Sequence, residues 1–583
     1  MIGISRKQVE HTEYIFVDFF DTLMFRSVHS CQMTEAWDRA LARKLELAAG
    51  KLRDCRRAVL AEAGRDECAV NYHTLCGRIW EKLKHASENV SPGKEDFCKL
   101  SLETETYLEF GVQYVNREIF RFLDEQKKQG KKIILVTDFY LPAESYHRFL
   151  KKCGPGQLAD QIFCSSDIGL TKSGDGLLYG HVLKTLDITP AQAIMIGDSL
   201  QADKLNAERY GIRSFRYFPF IHKVRTNLSR VLKRDGFRSC YKTIRSFTRK
   251  DLMFLEYVFP LVCFTERLYD QLRHDRQNSA YFLSRGGYYL KILFDAYEAF
   301  CVPEKETIRT QYLYNSRKVN ILAEKDEEAR RLLTEYLAPY TKGNSFSFID
   351  EGWYGHGQLI YTRTLGLKTA GYYLGLMDNF PETDCQRKGI LFHVDENGRK
   401  SPYYGIFRTN CTLYEQLLTA PHGSVEAYVR GENQEITAVL KDNEQERRLY
   451  SEYTKAVQDH LLDYAKALFV WQCPMSLYQI AVQMIRPLLF AGREKRKLLK
   501  IYDGAYYNNA QDDSKKEFGK LKQVRINVSR LLYKPEEYMR YFCKVKERCT
   551  SDPAYALYVP FGMMVYGYCR LSLFLRHCFE RGD

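Results

Sequence analysis

Five polar side chains in the first 210 residues have types and spacing that could carry out chemistry. Asp18, Thr137 and Asp198 each end or directly follow an apolar run, Asp203 follows Asp198 by five residues, and Lys172 precedes a helical stretch. Apolar runs that end in such residues are typical of parallel α/β sheets, which place their ligands at the carboxyl edge. The pattern therefore predicts that these side chains meet at one sheet edge, where carboxylates and an amine suit phosphoryl transfer.

The order and spacing of these segments resemble those of the haloacid dehalogenase-like (HAD) hydrolase superfamily. The resemblance covers roughly residues 12–220 and depends on four motifs, which are Asp18-Phe-Phe-Asp-Thr-Leu, Thr137 at its strand end, Lys172 in Gly-Leu-Thr-Lys-Ser-Gly, and Gly-Asp198-Ser-Leu-Gln-Ala-Asp203. It implies a Rossmann-like parallel sheet with right-handed crossovers and a helical cap at about 27–117.

The resemblance gives each of these side chains a role. Asp18 would attack in line as the nucleophile, and Thr137 with nearby backbone amides would hold the oxygens of the transferring group. Lys172 would neutralise the charge shared by Asp18 and the phosphoryl group, because the carboxylates would otherwise raise one another's pKa. Asp203 would orient Lys172 or reach a metal ion.

The expected cofactor is Mg²⁺. Asp198 would bind it together with Asp18 and the main-chain oxygen of Phe20, and the remaining positions would be left for substrate and water.

One position departs from the phosphatases of the superfamily. They usually carry a second aspartate two residues after the nucleophile, where this chain has Phe20, and Asp21 stands where glycine is usual. Loss of a general acid or base typically costs a factor of about 10²–10⁴ in rate. The dehalogenase branch also has an aromatic residue there but lacks the metal-binding aspartate that Asp198 supplies. We weigh the metal constellation more heavily and expect phosphate chemistry, with the proton supplied by Asp21 or a cap residue, or with a leaving group that needs none.

The second half predicts another α/β region. Apolar runs at residues 279–284, 311–316, 345–350 and 370–375 read as strands that end in small or charged residues. Arg285 and Arg317 follow two of them and Asp350 ends a third, and two guanidiniums beside Gly-rich backbone suit a phosphate or nucleotide-sugar group. The alternative is that these are core or loop residues.

This half, with Asp18-Phe-Phe-Asp-Thr-Leu, also resembles a group of large bacterial HAD-like proteins encountered in surface-polysaccharide biosynthesis. Those relatives more commonly have an aspartate where this chain has Gly286. A fainter resemblance of the segment from Asp350 is to phosphoribosyltransferases.

A chain of 583 residues predicts several domains. We expect a HAD-like domain at 1–220, a basic linker at 221–250, a second α/β domain at 251–430 and a helical region at 431–583. The 17 scattered cysteines, without a Cys-x-x-Cys pair, indicate reduced thiols of a cytoplasmic protein.

The formal net charge of +14 is unevenly distributed. Residues 213–250 contain twelve Lys or Arg and one acidic residue, Asp235. This segment could bind an anionic membrane surface, although a solvated helix face is the simpler explanation. Nucleic acid is an unlikely partner because no nucleic-acid module is present. The longest apolar stretch, Ala554–Cys569, is short for a membrane span and is expected to be a buried or interface helix.

Together these features predict a Mg²⁺-dependent phosphatase or phosphotransferase that acts on a phosphorylated sugar or polyol, or another glycan intermediate, of bacterial surface-polymer synthesis. One alternative is a binding or scaffold protein of a glycan-assembly complex with a weakened HAD site. The other is a C-terminal glycosyl- or phosphoribosyl-type transferase with an ancillary HAD domain.

Overall fold

The computed structural model describes residues 9–64, 67–86, 92–154, 158–231, 239–244, 254–379, 381–409, 411–472, 475–491, 495–499, 501, 531, 534–549 and 551–579. The chain divides into two compact units. The first spans residues 1–251, 299–305 and 466–473, and the second spans 252–298, 306–465 and 474–583. The domain bounds predicted from the sequence stay a prediction.

A five-stranded parallel sheet forms the centre of the first unit, as predicted, with the strand order β5-β4-β1-β6-β7. The three central strands are apolar and fully buried over most of their length, and each buried Ile, Val or Phe side chain contributes about 1.5–3 kcal/mol. The strands of this unit are β1 (Tyr14–Val17), β2 (Met24–Arg26), β3 (Gln113–Val115), β4 (Lys132–Thr137), β5 (Gln161–Cys164), β6 (Ala193–Gly197) and β7 (Arg213–Arg216).

The order of the strands reverses direction between β1 and β6. The chain runs from β1 outward to β4 and β5, and then returns to the other side of β1 for β6 and β7. Ligands of open α/β sheets bind outside the carboxyl ends of strands at such a switch point. Asp18 follows β1 and Asp198 follows β6, so both carboxylates flank it.

The predicted cap at 27–117 is helical in large part. Its helices are α1 (Cys31–Lys44), α2 (Lys51–Ala63), α3 (Tyr72–Ala86) and α4 (Lys94–Val112). The sequence analysis missed the antiparallel pair β2–β3 where this segment leaves and rejoins the sheet. The other helices of this part are α5 (Arg117–Lys128), α6 (Ala143–Leu150), α7 (Ser165–Ile168), α8 (Leu177–Leu186), α9 (Asn206–Arg209) and α10 (Phe220–Val231).

The predicted basic linker at 221–250 is only partly described. Its first part belongs to α10, while residues 232–238 and 245–250 lie outside the described residues.

A second five-stranded parallel sheet forms the centre of the other unit, with the order β12-β11-β10-β8-β9. Four of its strands were predicted and the edge strand β12 was not. The strands of this unit are β8 (Ser279–Leu283), β9 (Arg309–Leu313), β10 (Ser345–Asp350), β11 (Lys368–Gly375), β12 (Cys385–Phe392), β13 (Val425–Arg430) and β14 (Ile436–Leu440). The antiparallel pair β13–β14, which the sequence analysis did not predict, lies just before the helical C-terminal region.

The helices that follow in the chain complete an α/β fold with a helical C-terminal region, as predicted. They are α11 (Val258–His274), α12 (Gly287–Cys301), α13 (Arg317–Lys325), α14 (Glu327–Leu337), α15 (His356–Arg363), α16 (Tyr404–Arg408), α17 (Cys411–Leu418), α18 (Glu444–Leu449), α19 (Lys455–Trp471), α20 (Leu477–Leu489), α21 (Met539–Arg548) and α22 (Asp552–Phe579). Among the described residues, no helix is both long and apolar enough to cross a bilayer.

Candidate active site

Three carboxylates converge at the switch point of the first sheet. The parallel pairing of β1 with β6 sets Val17 opposite Ile196, which brings the residues after both strands to the same edge. One carboxylate oxygen each of Asp18, Asp198 and Asp203 lies within 4.8 Å of the other two. The structure therefore brings together the acidic residues that the sequence predicted.

Lys172 joins two of these carboxylates. Its Nζ donates to Asp18 Oδ1 and to Asp203 Oδ1, each at 2.6 Å, and only 2 % of the lysine side chain is exposed. Burial alone would lower the pKa of this ammonium, but Asp18 and Asp203 outweigh burial and raise it well above its ordinary value. Lys172 is therefore a permanent cation between two buried acids.

The nucleophile candidate is in a strongly electrostatic environment. Burial raises the pKa of Asp18. The negative charges of Asp203 and Asp198 raise this pKa further, and the positive charge of Lys172 lowers it. A cation or an electrophile placed beside Asp18 would stabilise its ionised form.

The loop that carries Lys172 is held by two residues to which the sequence analysis gave no role. Asp138 Oδ1 accepts from the backbone N of Lys172 at 2.7 Å, and its Oδ2 accepts from the N and Oγ of Ser173 at 2.8 and 2.9 Å. Asn206 Nδ2 donates to the carbonyl of Lys172 at 2.7 Å. Asp138 directly follows Thr137, so one strand end positions both the predicted hydroxyl and the lysine loop.

Asp203 is positioned by the turn after β6. Its Oδ2 accepts from the backbone N of Ser199 at 2.9 Å, which leaves Oδ1 for Lys172. A Cβ on Gly197 would lie 2.3 Å from the Asp203 carboxyl group, so only glycine fits at the end of β6. The close approach of the Asp203 carboxyl group to the backbone therefore explains the glycine of the Gly-Asp-Ser motif.

Thr137 presents a buried hydroxyl at the end of β4. Its Oγ1 has no hydrogen bond of normal geometry among the described residues, although it lies beside the Tyr146 hydroxyl. A buried hydroxyl without a partner costs free energy, and an oxygen of a bound ligand would satisfy it. The phosphate-holding role of Thr137 stays a prediction.

Asp198 is engaged by a lysine that the sequence analysis placed only in the basic segment. Lys223 of α10 donates from Nζ to Asp198 Oδ2 at 2.6 Å. Burial raises the pKa of Asp198, and Lys223 opposes that increase. Three converging carboxylates are the hard oxygen ligands that Mg²⁺ prefers, so the donor set fits this ion. The role of the Phe20 main-chain oxygen stays a prediction.

Phe20 occupies the position where the general acid is missing, and its ring stacks with two other side chains. The Arg26 guanidinium lies 3.8 Å from the centroid of the Phe20 ring, and Arg26 Nε donates to Glu109 Oε2 at 2.9 Å. The Phe20 ring also packs on Phe139 with ring centroids 4.2 Å apart. The Phe20 ring thus lies against the guanidinium of Arg26, which Glu109 of the cap helix α4 binds.

Asp21 is linked to a histidine on α10. His222 Nε2 lies 3.0 Å from Asp21 Oδ1, and His222 Nδ1 lies 3.1 Å from the Tyr114 hydroxyl. The His222 ring stacks on Phe25 with centroids 4.0 Å apart. Burial alone would raise the pKa of Asp21, but the hydrogen bond to His222 and its charge hold it below the ordinary value. The Asp21 carboxyl group is therefore held in its ionised form, with a ring nitrogen of His222 beside it.

In the second unit, all three predicted ligand residues end or follow strands of the sheet, and two of them have polar partners. Arg285 follows β8 and pairs with Glu446 at 2.6 Å, and Asp350 ends β10 beside Glu351. Arg317 is exposed in the first turn of α13 and makes no ion pair or side-chain hydrogen bond with any described residue, and its role stays a prediction.

Comparison with protein families finds a match over the first third of the chain. Residues 12–209 match the family model of the haloacid dehalogenase-like hydrolases, so this part of the chain is a HAD-like hydrolase domain. No curated protein matches the chain significantly.

Similar solved structures cover about a third of the chain. A 2-haloacid dehalogenase from Pseudomonas syringae pv. tomato is 18% identical over 35% of this chain and 86% of its own, with a TM-score of 0.28. A HAD phosphatase from Thermococcus onnurineus is 17% identical over 35% and 85%, with a TM-score of 0.25. A HAD family enzyme from Bacteroides thetaiotaomicron, in complex with magnesium and inorganic phosphate, is 10% identical over 35% and 93%, with a TM-score of 0.25.

Proposed function

We propose that the HAD-like hydrolase domain of this chain is a Mg²⁺-dependent phosphatase or phosphotransferase. The observation that carries the proposal is the cluster of Asp18, Asp198 and Asp203 with Lys172 bonded to two of them. Carboxylates so close together need a cation, and a phosphoryl group needs the positive charge that a cation and Lys172 supply. Bound Mg²⁺ would neutralise charge on the phosphoryl oxygens.

In the first step, an Asp18 oxygen attacks phosphorus, an acyl-phosphate bond forms and the ester P–O bond breaks. The leaving oxygen takes up one proton. In the second step, water attacks the phosphorus of the acyl phosphate, inorganic phosphate departs and Asp18 is regenerated, while the water proton returns to the acid–base group. Lys172 and Thr137 hold the transferring oxygens in both steps.

We assign the proton to the pair of Asp21 and His222. Position 20 carries no acid, and Asp21, which His222 of α10 contacts, lies on the loop that directly follows Asp18. The charge of Asp21 also acts on Asp198, which places it within electrostatic range of the metal-binding cluster. The pair would give its proton to the leaving oxygen and then accept one from water.

A phosphorylated sugar or polyol is the proposed substrate class. On the cap helix α4, Glu105 Oε2 and Glu109 Oε1 are buried acceptors without a hydrogen bond of normal geometry among the described residues, although the Tyr140 hydroxyl lies beside Glu105. Glu109 also binds Arg26, which lies on Phe20 beside the nucleophile. Hydroxyl groups of a leaving group would satisfy such acceptors. The assignment to bacterial surface-polymer synthesis rests on the sequence resemblance.

The test is phosphate release from an aryl phosphate and from a panel of sugar and polyol phosphates. We expect activity that needs Mg²⁺ and that Asp18→Asn abolishes. Asp124→Asn is the matched control, because it removes an exposed carboxylate of α5 that pairs with Lys128. Halide release from a 2-haloacid without phosphate release would instead assign the dehalogenase reaction. A chain that turns over neither, and that Mg²⁺ with beryllofluoride does not stabilise, would be a binding or scaffold protein.

A second candidate function rests on the sheet of the other unit. Its strand order reverses between β8 and β10, so Arg285 and Glu351 follow the two strands that flank a switch point. Among the described residues, no side chain or backbone group makes a hydrogen bond of normal geometry to the buried Glu351 Oε2, and a Cβ on Gly286 would lie 1.8 Å from it. The glycine at position 286 therefore leaves the space that the Glu351 carboxyl group fills.

Burial raises the pKa of Asp350 to about 6, and burial together with Asp350 raises the pKa of Glu351 well above its ordinary value. A proton-sharing acid pair beside the Arg285 guanidinium suits a ligand with hydroxyl groups and an anionic group, such as a nucleotide sugar. Calorimetric titration with nucleotide sugars tests this candidate. Binding that Glu351→Gln and Arg285→Gln both weaken at least tenfold would support it, and binding unchanged in both variants would exclude this edge of the sheet.

A further inference from the structure

Helix α10 has its polar face buried and its apolar face exposed. On the inner side, His222 is only 5 % exposed and contacts Asp21 and Tyr114, while Lys223 contacts Asp198. Both side chains reach the candidate active site. The part of the helix that a soluble protein normally turns toward water therefore packs on the site.

The outer side carries a continuous apolar row. Its residues recur at the spacing of one helix face and their side chains are between 46% and 76% exposed, and they are Phe220, Ile221, Val224, Leu228 and Val231. Phe218, just before the helix, is also 54 % exposed. Single exposed apolar residues are normal on a protein surface, but a contiguous row of this kind marks an interaction site.

The charge around this row identifies the partner. Arg225 is exposed on α10 beside Val224, and Arg216 is exposed shortly before the helix. In the sequence, residues 213–250 carry twelve basic residues against one acidic residue. A helix with Phe, Ile, Leu and Val on one face and basic residues at its margins is typical of segments that lie in the interface of an anionic bilayer.

We propose that the apolar row of α10 inserts into the headgroup region of an anionic membrane and so places the phosphatase site at the bilayer surface. This rests on the proposed function, because the same helix supplies His222 and Lys223 to that site. The substrate class that follows is a phosphate ester carried by a lipid, whose phosphate lies at headgroup level. A basic apolar surface that binds lipid would hold such a substrate beside Asp18.

Sedimentation of the full chain with vesicles tests the inference. We expect binding to phosphatidylcholine vesicles that contain phosphatidylglycerol and little binding to pure phosphatidylcholine. Ile221→Ser with Val224→Ser should weaken vesicle binding at least tenfold, and Arg225→Gln should weaken binding to the anionic vesicles by roughly fivefold, as about 1 kcal/mol per basic residue implies. Asn227→Ser, at an exposed polar position of the same helix, is the matched control and should bind as the wild type does.

Turnover of a water-soluble aryl phosphate separates this inference from the proposed function. The double variant should keep wild-type turnover, because its side chains point away from the site. Vesicle binding without any phosphatase activity would support the membrane-binding role of α10 and would exclude the proposed function. Equal binding of the wild type and the double variant would overturn the inference. So would a wild-type dimer in solution that the same substitutions dissociate, since a second copy would then cover the row.

Discussion

Replacing Lys172 with methionine tests whether the candidate site is the buried charge cluster described above. Lys172 and Asp203 are each 2 % exposed and Asp18 is 8 % exposed, so water provides little screening. Removing one partner of a buried ion pair typically costs about 3–5 kcal/mol, because the remaining charges are left uncompensated. We expect Lys172→Met to lower the opening free energy of the first sheet by that amount at pH 7.

The pH dependence of this loss has a definite sign. Burial already holds the pKa of Asp18 above the unfolded value of about 3.9, and without Lys172 that pKa rises further because the two acids repel each other. Folding then favours proton uptake, so the penalty is full at a pH above the raised pKa and decreases as the pH falls through that pKa toward the unfolded value. Lys172→Met with Asp203→Asn should recover part of the loss, because it removes the like charge.

Hydrogen exchange of the β1, β4 and β6 amides, measured by mass spectrometry, reports this opening free energy. The control is Lys128→Met, which breaks an ion pair of the same 2.6 Å length between side chains that are 73 % and 41 % exposed. Exposed pairs of this kind contribute about 0–1 kcal/mol. Equal effects of the two lysine substitutions would refute the argument that burial makes the Lys172 cluster essential.

Three further predictions follow from individual contacts. Asp21→Asn should lower the turnover of alkyl phosphates by about 10²–10⁴ and that of activated aryl phosphates much less, because only poor leaving groups need the proton; equal losses on both substrates would remove Asp21 from acid catalysis. Lys223→Met should tighten Mg²⁺ binding roughly tenfold in calorimetric titration, since the lysine occupies Asp198 Oδ2, and unchanged affinity would show that the metal binds elsewhere. Asp275→Asn should destabilise the second sheet by about 2 kcal/mol at pH 7, because the contacts with Lys388 and Tyr372 overcome burial and lower the pKa of Asp275 to about 2. This stabilisation is present above the unfolded pKa and is lost as the pH falls from about 4 to 2. Hydrogen exchange of the β11 amides in the wild type and the variant measures it. A difference in stability between the two proteins that is undiminished at pH 2 would contradict the assignment.

The central strands and the residues at their ends could be predicted from the sequence. β1, β4 and β6 are uninterrupted apolar runs, and a parallel sheet brings their carboxyl ends to one edge whatever the details of packing. Asp18, Asp198 and Asp203 therefore converge as expected. The edge strand β12 was missed because its sequence, Cys-Gln-Arg-Lys-Gly-Ile-Leu-Phe, begins with polar residues.

The supporting contacts were less accessible to sequence reasoning. Asp138 accepts hydrogen bonds from backbone amides of the Lys172 loop, which is distant in sequence, and no spacing of residues predicts such a bond. Lys223 and His222 lie on a helix whose apolar periodicity points outward, so the usual inference that the apolar face is buried fails for it. Arg317 follows β9 much as Arg285 follows β8, but its side chain is exposed, and its role in ligand binding stays a prediction.

Covalent trapping is the most direct test of the claim that Asp18 is the nucleophile. The protein is mixed with Mg²⁺ and a phosphate ester that it turns over, quenched in acid and reduced with borohydride, which converts a phosphorylated aspartate to homoserine. Peptide mass spectrometry should then find homoserine at position 18, dependent on substrate and absent in Asp18→Asn. Continued phosphate release with residue 18 unmodified would contradict the account.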